Sequence, residues 1–119
     1  MGFFTKQNST FPWNHLISND DFLTLWNSNE PFLIFKHSTR CSISSMALRH
    51  FESEFHTDTN CQLFLLDLLI HRDISNQIAE LTGVQHQSPQ IILIKNKQIL
   101  LNASHENISA NEIEQKCHE

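Results

Sequence analysis

Basic charge is scarce in this chain of 119 residues: eight lysines and arginines stand against thirteen aspartates and glutamates, for a net charge of −5. The eight are scattered, so no basic stripe exists to neutralise a phosphate backbone, and nucleic acid is not an expected partner. No apolar run approaches the roughly 20 residues of a bilayer-crossing helix, and Met1–Lys6 lacks the basic-then-apolar order of a secretory signal. The expectation is a cytoplasmic protein with no membrane partner. Met1-Gly2 is set aside as an acylation start because Lys6 stands where serine or threonine is needed. Charge runs and low-complexity tracts are also missing, which argues against disorder away from the termini.

Cysteine is sparse too. Cys41, Cys61 and Cys117 are odd in number and widely spaced. Neither a disulfide framework nor a CxxC zinc site fits them. The eight histidines form no same-face helical pair, so neither a metal site nor a bound cofactor is expected.

The length suits one domain, 1–119, with its core at about 13–118. Trp13 to Ser18 reads as an edge strand, with Ser18-Asn19-Asp20 capping a helix whose apolar positions are Phe22, Leu23, Leu25 and Trp26. Phe32-Leu33-Ile34-Phe35 is a continuous apolar run, as in a central strand covered on both faces. Ile43, Ala47, Phe51 and Phe55 fall four apart and predict a helix with a buried stripe from about Cys41. Leu63–Leu66 reads as a second buried strand, followed by a helix through Ile74, Ile78 and Leu81, capped by Asp73 and stopped by Gly83. Ile91–Ile94 and Gln98–Leu101 flank Asn96-Lys97, a two-residue hairpin. Ser109-Ala110-Asn111-Glu112 is a capping box, stapled by Ile108 and Ile113, for a last helix. The order βαβαβαββα describes an α/β fold: a thioredoxin-like three-layer sandwich, with a central mixed sheet flanked by helices.

Cys41 falls where a central strand gives way to a helix. Unpaired N–H groups of a first helical turn favour thiolate over thiol, which makes this cysteine a candidate nucleophile. Arg40 and His37 are positioned to add positive potential, and Ser38, Thr39 and Ser42 offer hydroxyls. Ser44 occupies the place a second cysteine would take in a CxxC motif. Ser88-Pro89 precedes a predicted strand, where thioredoxin-like folds place a cis proline beside the reactive cysteine. From position alone, a small buried cysteine packing the helix start explains Cys41 equally well.

Three segments make the resemblance specific: Phe35-Lys36-His37-Ser38-Thr39-Arg40-Cys41-Ser42-Ile43-Ser44, Asp73-Ile74-Ser75-Asn76-Gln77-Ile78-Ala79, and Val84-Gln85-His86-Gln87-Ser88-Pro89-Gln90. Together they resemble the YtxJ-type family of monothiol bacilliredoxins, from about Trp13 to the last helix. The family pattern is usually Thr-Cys-Pro-Ile-Ser, so Ser42 departs from it, as Arg40 does less notably. The resemblance implies a thiol–disulfide oxidoreductase that removes bacillithiol, a low-molecular-weight thiol, from protein mixed disulfides. Cys41 would be the nucleophile, with Thr39, Arg40, Ser42, Ser44, Ser88 and Pro89 around the bound thiol. Bacillithiol would then be a co-substrate. The partners would be bacillithiolated client proteins and a small thiol or reductase that restores Cys41, with the chain expected as a monomer. Two other readings stay open: a non-catalytic thioredoxin-like binding module using the groove beside Pro89, and a redox sensor whose Cys41 is capped as a signal.

Of the other thiols, Cys61 leads into a buried strand and reads as inert packing. Cys117 lies near the end of the sequence and reads as exposed, with a bridge to Cys41 as a minor alternative.

Overall fold

The computed structural model describes residues 11–118. The N-terminal stretch examined above for export and acylation signals lies outside the described residues, as does Glu119. The elements are β1 (Asn14–His15), α1 (Asn19–Asn27), β2 (Phe32–His37), α2 (Ser42–Glu54), β3 (Gln62–Asp67), α3 (Arg72–Thr82), β4 (Gln90–Lys95), β5 (Gln98–Ser104) and α4 (Ala110–Cys117), with a single 3₁₀ turn at His105–Asn107. The predicted order holds throughout. Among the described residues, no helix is long and apolar enough to cross a membrane.

The strands form one sheet in the order β1-β3-β2-β4-β5. β1, β3 and β2 run parallel, whereas β4 and β5 are antiparallel to their neighbours. Side chains alternate across a strand, and the two cores follow. Phe32, Ile34, Leu66, Ile92 and Ile94 point to the face covered by Phe22 of α1 and by Ile74 and Ile78 of α3. Leu33, Phe35, Leu63, Ile91 and Leu93 point to the other face, covered by Phe51 of α2 and by Ile113 and Cys117 of α4. On that second face Phe51 stacks on Phe55 at 4.9 Å between ring centroids, and Trp13 and Phe35 meet Phe51 at 5.8 and 5.6 Å.

Local signals act as the sequence indicates. The Ser18 side chain accepts from Asp21 N at 3.0 Å, and that of Ser109 from Glu112 N at 3.2 Å. Gly83 ends α3 at φ +74°, a left-handed conformation that glycine adopts without a Cβ penalty. Asn96 and Lys97 have φ of 54° and 61°, as a tight turn of the hairpin type requires.

Four expectations change. β1 spans two residues rather than six, because its pairing with β3 covers only Asn14 and His15. The N-cap of α3 is His71, with Asp73 in the first turn. Leu81 is exposed although it shares a helix face with Ile74 and Ile78, since it stands in the last turn of α3. The buried side of α2 runs through Ser44 and Phe51, which leaves Ile43 61% exposed rather than in the stripe.

Candidate functional site

Apolar residues carry β2 into the middle of the sheet, but its last two residues are Lys36 and His37, both buried. Alternation sends Lys36 to the α1/α3 face and His37 to the α2/α4 face. After a tight turn, in which Cys41 N donates to Ser38 O at 3.1 Å, α2 begins at Ser42 with Cys41 as its N-cap. Cys41 is extended, at φ −106° and ψ 119°, and its side chain makes no capping bond. The thiol is half-buried and free. It is therefore a partly accessible sulfur beside the open end of a 13-residue helix, where backbone N–H groups favour negative charge.

Ser44, three residues on, is fully buried. Its Oγ accepts from Ser38 N at 3.1 Å and lies 2.7 Å from His37 Nδ1. Burial holds His37 below the ordinary histidine range, with Asp67 and Glu52 pulling weakly the other way. The ring is thus neutral at pH 7. With its proton on Nε2, the Ser44 hydroxyl donates to Nδ1 while accepting from Ser38. Two expectations are corrected here. His37 adds no positive potential to the thiol, and the Ser44 hydroxyl is turned inward, where it fixes the turn carrying Cys41.

The register pairs Lys36 with Gln90, which sets Pro89 beside the end of β2, at the pole of the sheet where Cys41 lies. The Ser88-Pro89 peptide is cis, Pro89 is buried, and Pro89 O accepts from His105 N at 3.1 Å. The Ser88 Oγ is buried with no hydrogen-bond partner. Gln90 steadies the preceding loop: its Nε2 donates to Gln85 O at 3.0 Å, and its Oε1 accepts from Gln87 N at 3.3 Å. Thr39, Arg40 and Ser42 are exposed on the rim. Ile43 and Met46, with Ala47, His50, His105 and Ile108, line an adjoining groove of about 380 Å³.

Sequence reasoning missed a second polar cluster under this pole. Lys36 Nζ lies 3.4 Å from His86 Nδ1, and the same nitrogen is 3.0 Å from Ser75 Oγ. Burial lowers Lys36 to about 8, and burial with the positive charges of Lys36 and Arg72 lowers His86. The available signal was a lysine and a histidine directly continuing an apolar strand run.

The other two thiols lie elsewhere. β3 runs parallel to β2, so Cys61, just before β3, is at the opposite pole from Cys41, about 20 Å away by the length of a six-residue strand. Cys117 packs in the same core cluster as Cys61 and is only 8% exposed, against the expectation of an exposed residue. A Cys41–Cys117 bridge would need Cα atoms within about 7 Å, which this placement excludes.

The sheet order, the thiol at a helix start and the cis proline beside it define the class: a thioredoxin-fold protein of thiol redox function. The chain belongs to the monothiol bacilliredoxin family, for the family model described as Monothiol bacilliredoxin BrxC matches residues 14–113. Among solved structures it is similar to a thioredoxin-fold protein assigned as an oxidoreductase, at 30% identity and a TM-score of 0.75, with 86% of this chain and 90% of that chain covered. The thioredoxin of Trypanosoma brucei brucei shares the fold at 12% identity and TM-score 0.72, covering 97% of this chain and 96% of that one. The thioredoxin of Malassezia sympodialis does so at 17% identity and TM-score 0.66, over 98% and 96%.

Proposed function

We propose that the protein removes bacillithiol from client proteins that carry it as a mixed disulfide, with Cys41 as the sole nucleophile. The observation that carries this reading is the pairing of a half-buried N-cap thiol at position 41 with a buried, hydrogen-bonded serine at position 44. An enzyme that resolved its own mixed disulfide would have a second thiol at position 44.

In the proposed reaction the Cys41 thiolate attacks the bacillithiol sulfur. The client S–S bond breaks, the client leaves as a thiolate that takes up a proton, and Cys41 becomes bonded to bacillithiol. Ser44 cannot displace that group and the remaining cysteines are at the far pole, so a further thiol must. It would be a second bacillithiol molecule or the cysteine of a partner reductase. The orphaned Ser88 Oγ offers a polar contact near the cis proline, while Thr39, Arg40 and Ser42 supply polar groups on the rim. The exposed Ile43 and Met46 provide apolar surface for a client chain.

The test is intact-mass analysis of wild type and Cys41→Ser after incubation with a bacillithiolated client. Release of the client together with one bacillithiol adduct on the wild type alone supports the reading. Full release by Cys41→Ser would sink it and favour a binding module. A Cys41 adduct that forms without client release would favour a sensor.

A further inference from the structure

Lys36 is wholly buried near the end of β2, and among the described residues no carboxylate forms an ion pair with it. A buried cation without a counter-ion costs stability, and a well-packed apolar side chain of similar length avoids that cost. What the ammonium touches is therefore informative. Its Nζ lies 3.4 Å from His86 Nδ1, and the Ser75 hydroxyl of α3 lies 3.0 Å from the same nitrogen. A charged lysine donates and never accepts, so Nδ1 is the acceptor and the ring proton sits on Nε2. His86 stands in the loop between α3 and β4, three residues before the cis Pro89. The residue is exposed, so burial does little to fix its ring, and these two donors tie it to β2 and α3.

We propose that Lys36 and His86 are positioning residues: the buried ammonium holds His86 Nδ1, and through it the loop that carries Ser88 and the cis Pro89, in place at the Cys41 pole. The role rests on client release through Cys41, the function proposed for this chain. The other bonds of the loop join near neighbours in sequence, with Val84 N donating to Thr82 Oγ1, Gln87 N to Gln90 Oε1 and Gln90 Nε2 to Gln85 O. They shape the loop. Lys36 and His86 are 50 positions apart, so their contact fastens the loop to the centre of the sheet. The Ser88 hydroxyl, buried without a partner, follows His86 by two residues and is held with it. Lys36 shares the parity of Phe32 and Ile34, whose face is covered by α1 and α3, whereas Cys41 caps α2 on the other face. The lysine therefore acts on the loop and not on the thiol.

This arrangement gives one variant opposite signs in stability and activity. Lys36→Met removes the cost of the buried charge and should be more stable near pH 7. It also frees the His86 ring, and kcat/KM for client release should fall by about tenfold or more, since small displacements beside a reacting centre are costly. A lysine that served the fold alone would lower both when replaced.

The test compares the full chain with its Lys36→Met, His86→Asn and His86→Gln variants. Asparagine places an acceptor oxygen where Nδ1 stood, whereas glutamine reaches toward the place of Nε2. Four quantities are measured: release from a bacillithiolated client, alkylation of Cys41 by iodoacetamide resolved by peptide mapping, urea unfolding at pH 7, and amide hydrogen exchange over residues 84–89. Lys36→Met and His86→Gln should release client more slowly and exchange faster in the loop. His86→Asn should rescue release to within about threefold of wild type, with Cys41 alkylation within about twofold in all variants. Wild-type release by Lys36→Met, a less stable Lys36→Met, equal losses in the two His86 variants, or alkylation that falls in step with release would each overturn the proposal. If wild type itself released no client, the function proposed for Cys41 would fall and loop exchange would decide: faster exchange in Lys36→Met upholds the positioning role, and unchanged exchange overturns it.

Discussion

The two poles of this sheet hold the same functional group in opposite settings. At the end of β2 a single thiol stands at the mouth of a helix, and Lys36, His37, Ser44, Ser75 and Gln90 are buried beneath or beside it. At the head of β3 Cys61 packs against the same aromatic and aliphatic cluster that holds Cys117 of α4. Buried polar groups cost stability unless they are paired. Their concentration at one pole therefore marks where the fold accepts that cost to hold a loop in place. The difference teaches that a cysteine's fate is set by what surrounds it: one sulfur stands half-buried at an open helix end, while the other two pack among apolar side chains.

The sharpest way to break this comparison is to exchange the roles. Cys41→Ser is expected to reduce client release by about 100-fold or more, as loss of a nucleophile does, whereas Cys61→Ala and Cys117→Ala should remain within about twofold of wild type. Mass-resolved initial rates check this, and equal losses at both poles would erase the distinction.

Next in size is the pH response of Lys36. Its folded value of about 8 lies below the ordinary 10.5, so between these two pH values the unfolded chain holds a proton that the folded chain lacks. Stability attributable to this group thus rises as pH climbs from 8 to 10.5, by up to about 3 kcal/mol, and the cost is fully present below 8. Lys36→Met should be more stable near pH 7 and lack that rise, measured by urea unfolding at each pH.

Ser44→Ala leaves the buried His37 Nδ1 and the Ser38 N–H without their partner and is expected to cost about 1–3 kcal/mol. An unchanged urea midpoint would show that the turn carrying Cys41 does not depend on that hydroxyl.

The smallest effect should come from Ser42→Pro, which restores the residue usual in the family. Position 42 is the first of α2, where proline is tolerated, and Cys41 already has the extended backbone that a following proline demands. A gain of about 0.4–1 kcal/mol is expected from the stiffer unfolded chain. Destabilisation would mean that the turn needs the freedom serine allows.

Much of the frame was legible because it rests on local chemistry. Ser18, Gly83, Asn96-Lys97 and Ser109 each satisfy or terminate an element through groups only a few residues away, and the apolar runs show the strand centres. Cys41 was legible for the same reason, as a helix N-terminus is a local event. What escaped depends on distant parts of the chain. The strand character of Lys36 and His37 comes from their pairing with β3 and β4, and their burial from α2, α3 and the loop at His86. Ile43 was misplaced because a four-residue spacing fits more than one face of a short helix, and Ser44, a polar residue, took the buried position. Cys117 looked exposed by its place in the sequence, yet α4 returns it to the apolar cluster on the second face of the sheet.

The margins of the sheet carry a last consequence. β1 offers only two paired residues, and β5 is interrupted where Leu93 pairs Leu101 but Ile94 pairs Ile99, which leaves Leu100 as an extra residue that bends the strand. A long, flat border is what lets one chain template another into a fibril, and a bulged or very short one does not. Neither border of this molecule is suited to propagating an endless ladder, so a protein whose interior is largely Phe, Ile and Leu is built to resist fibrillation.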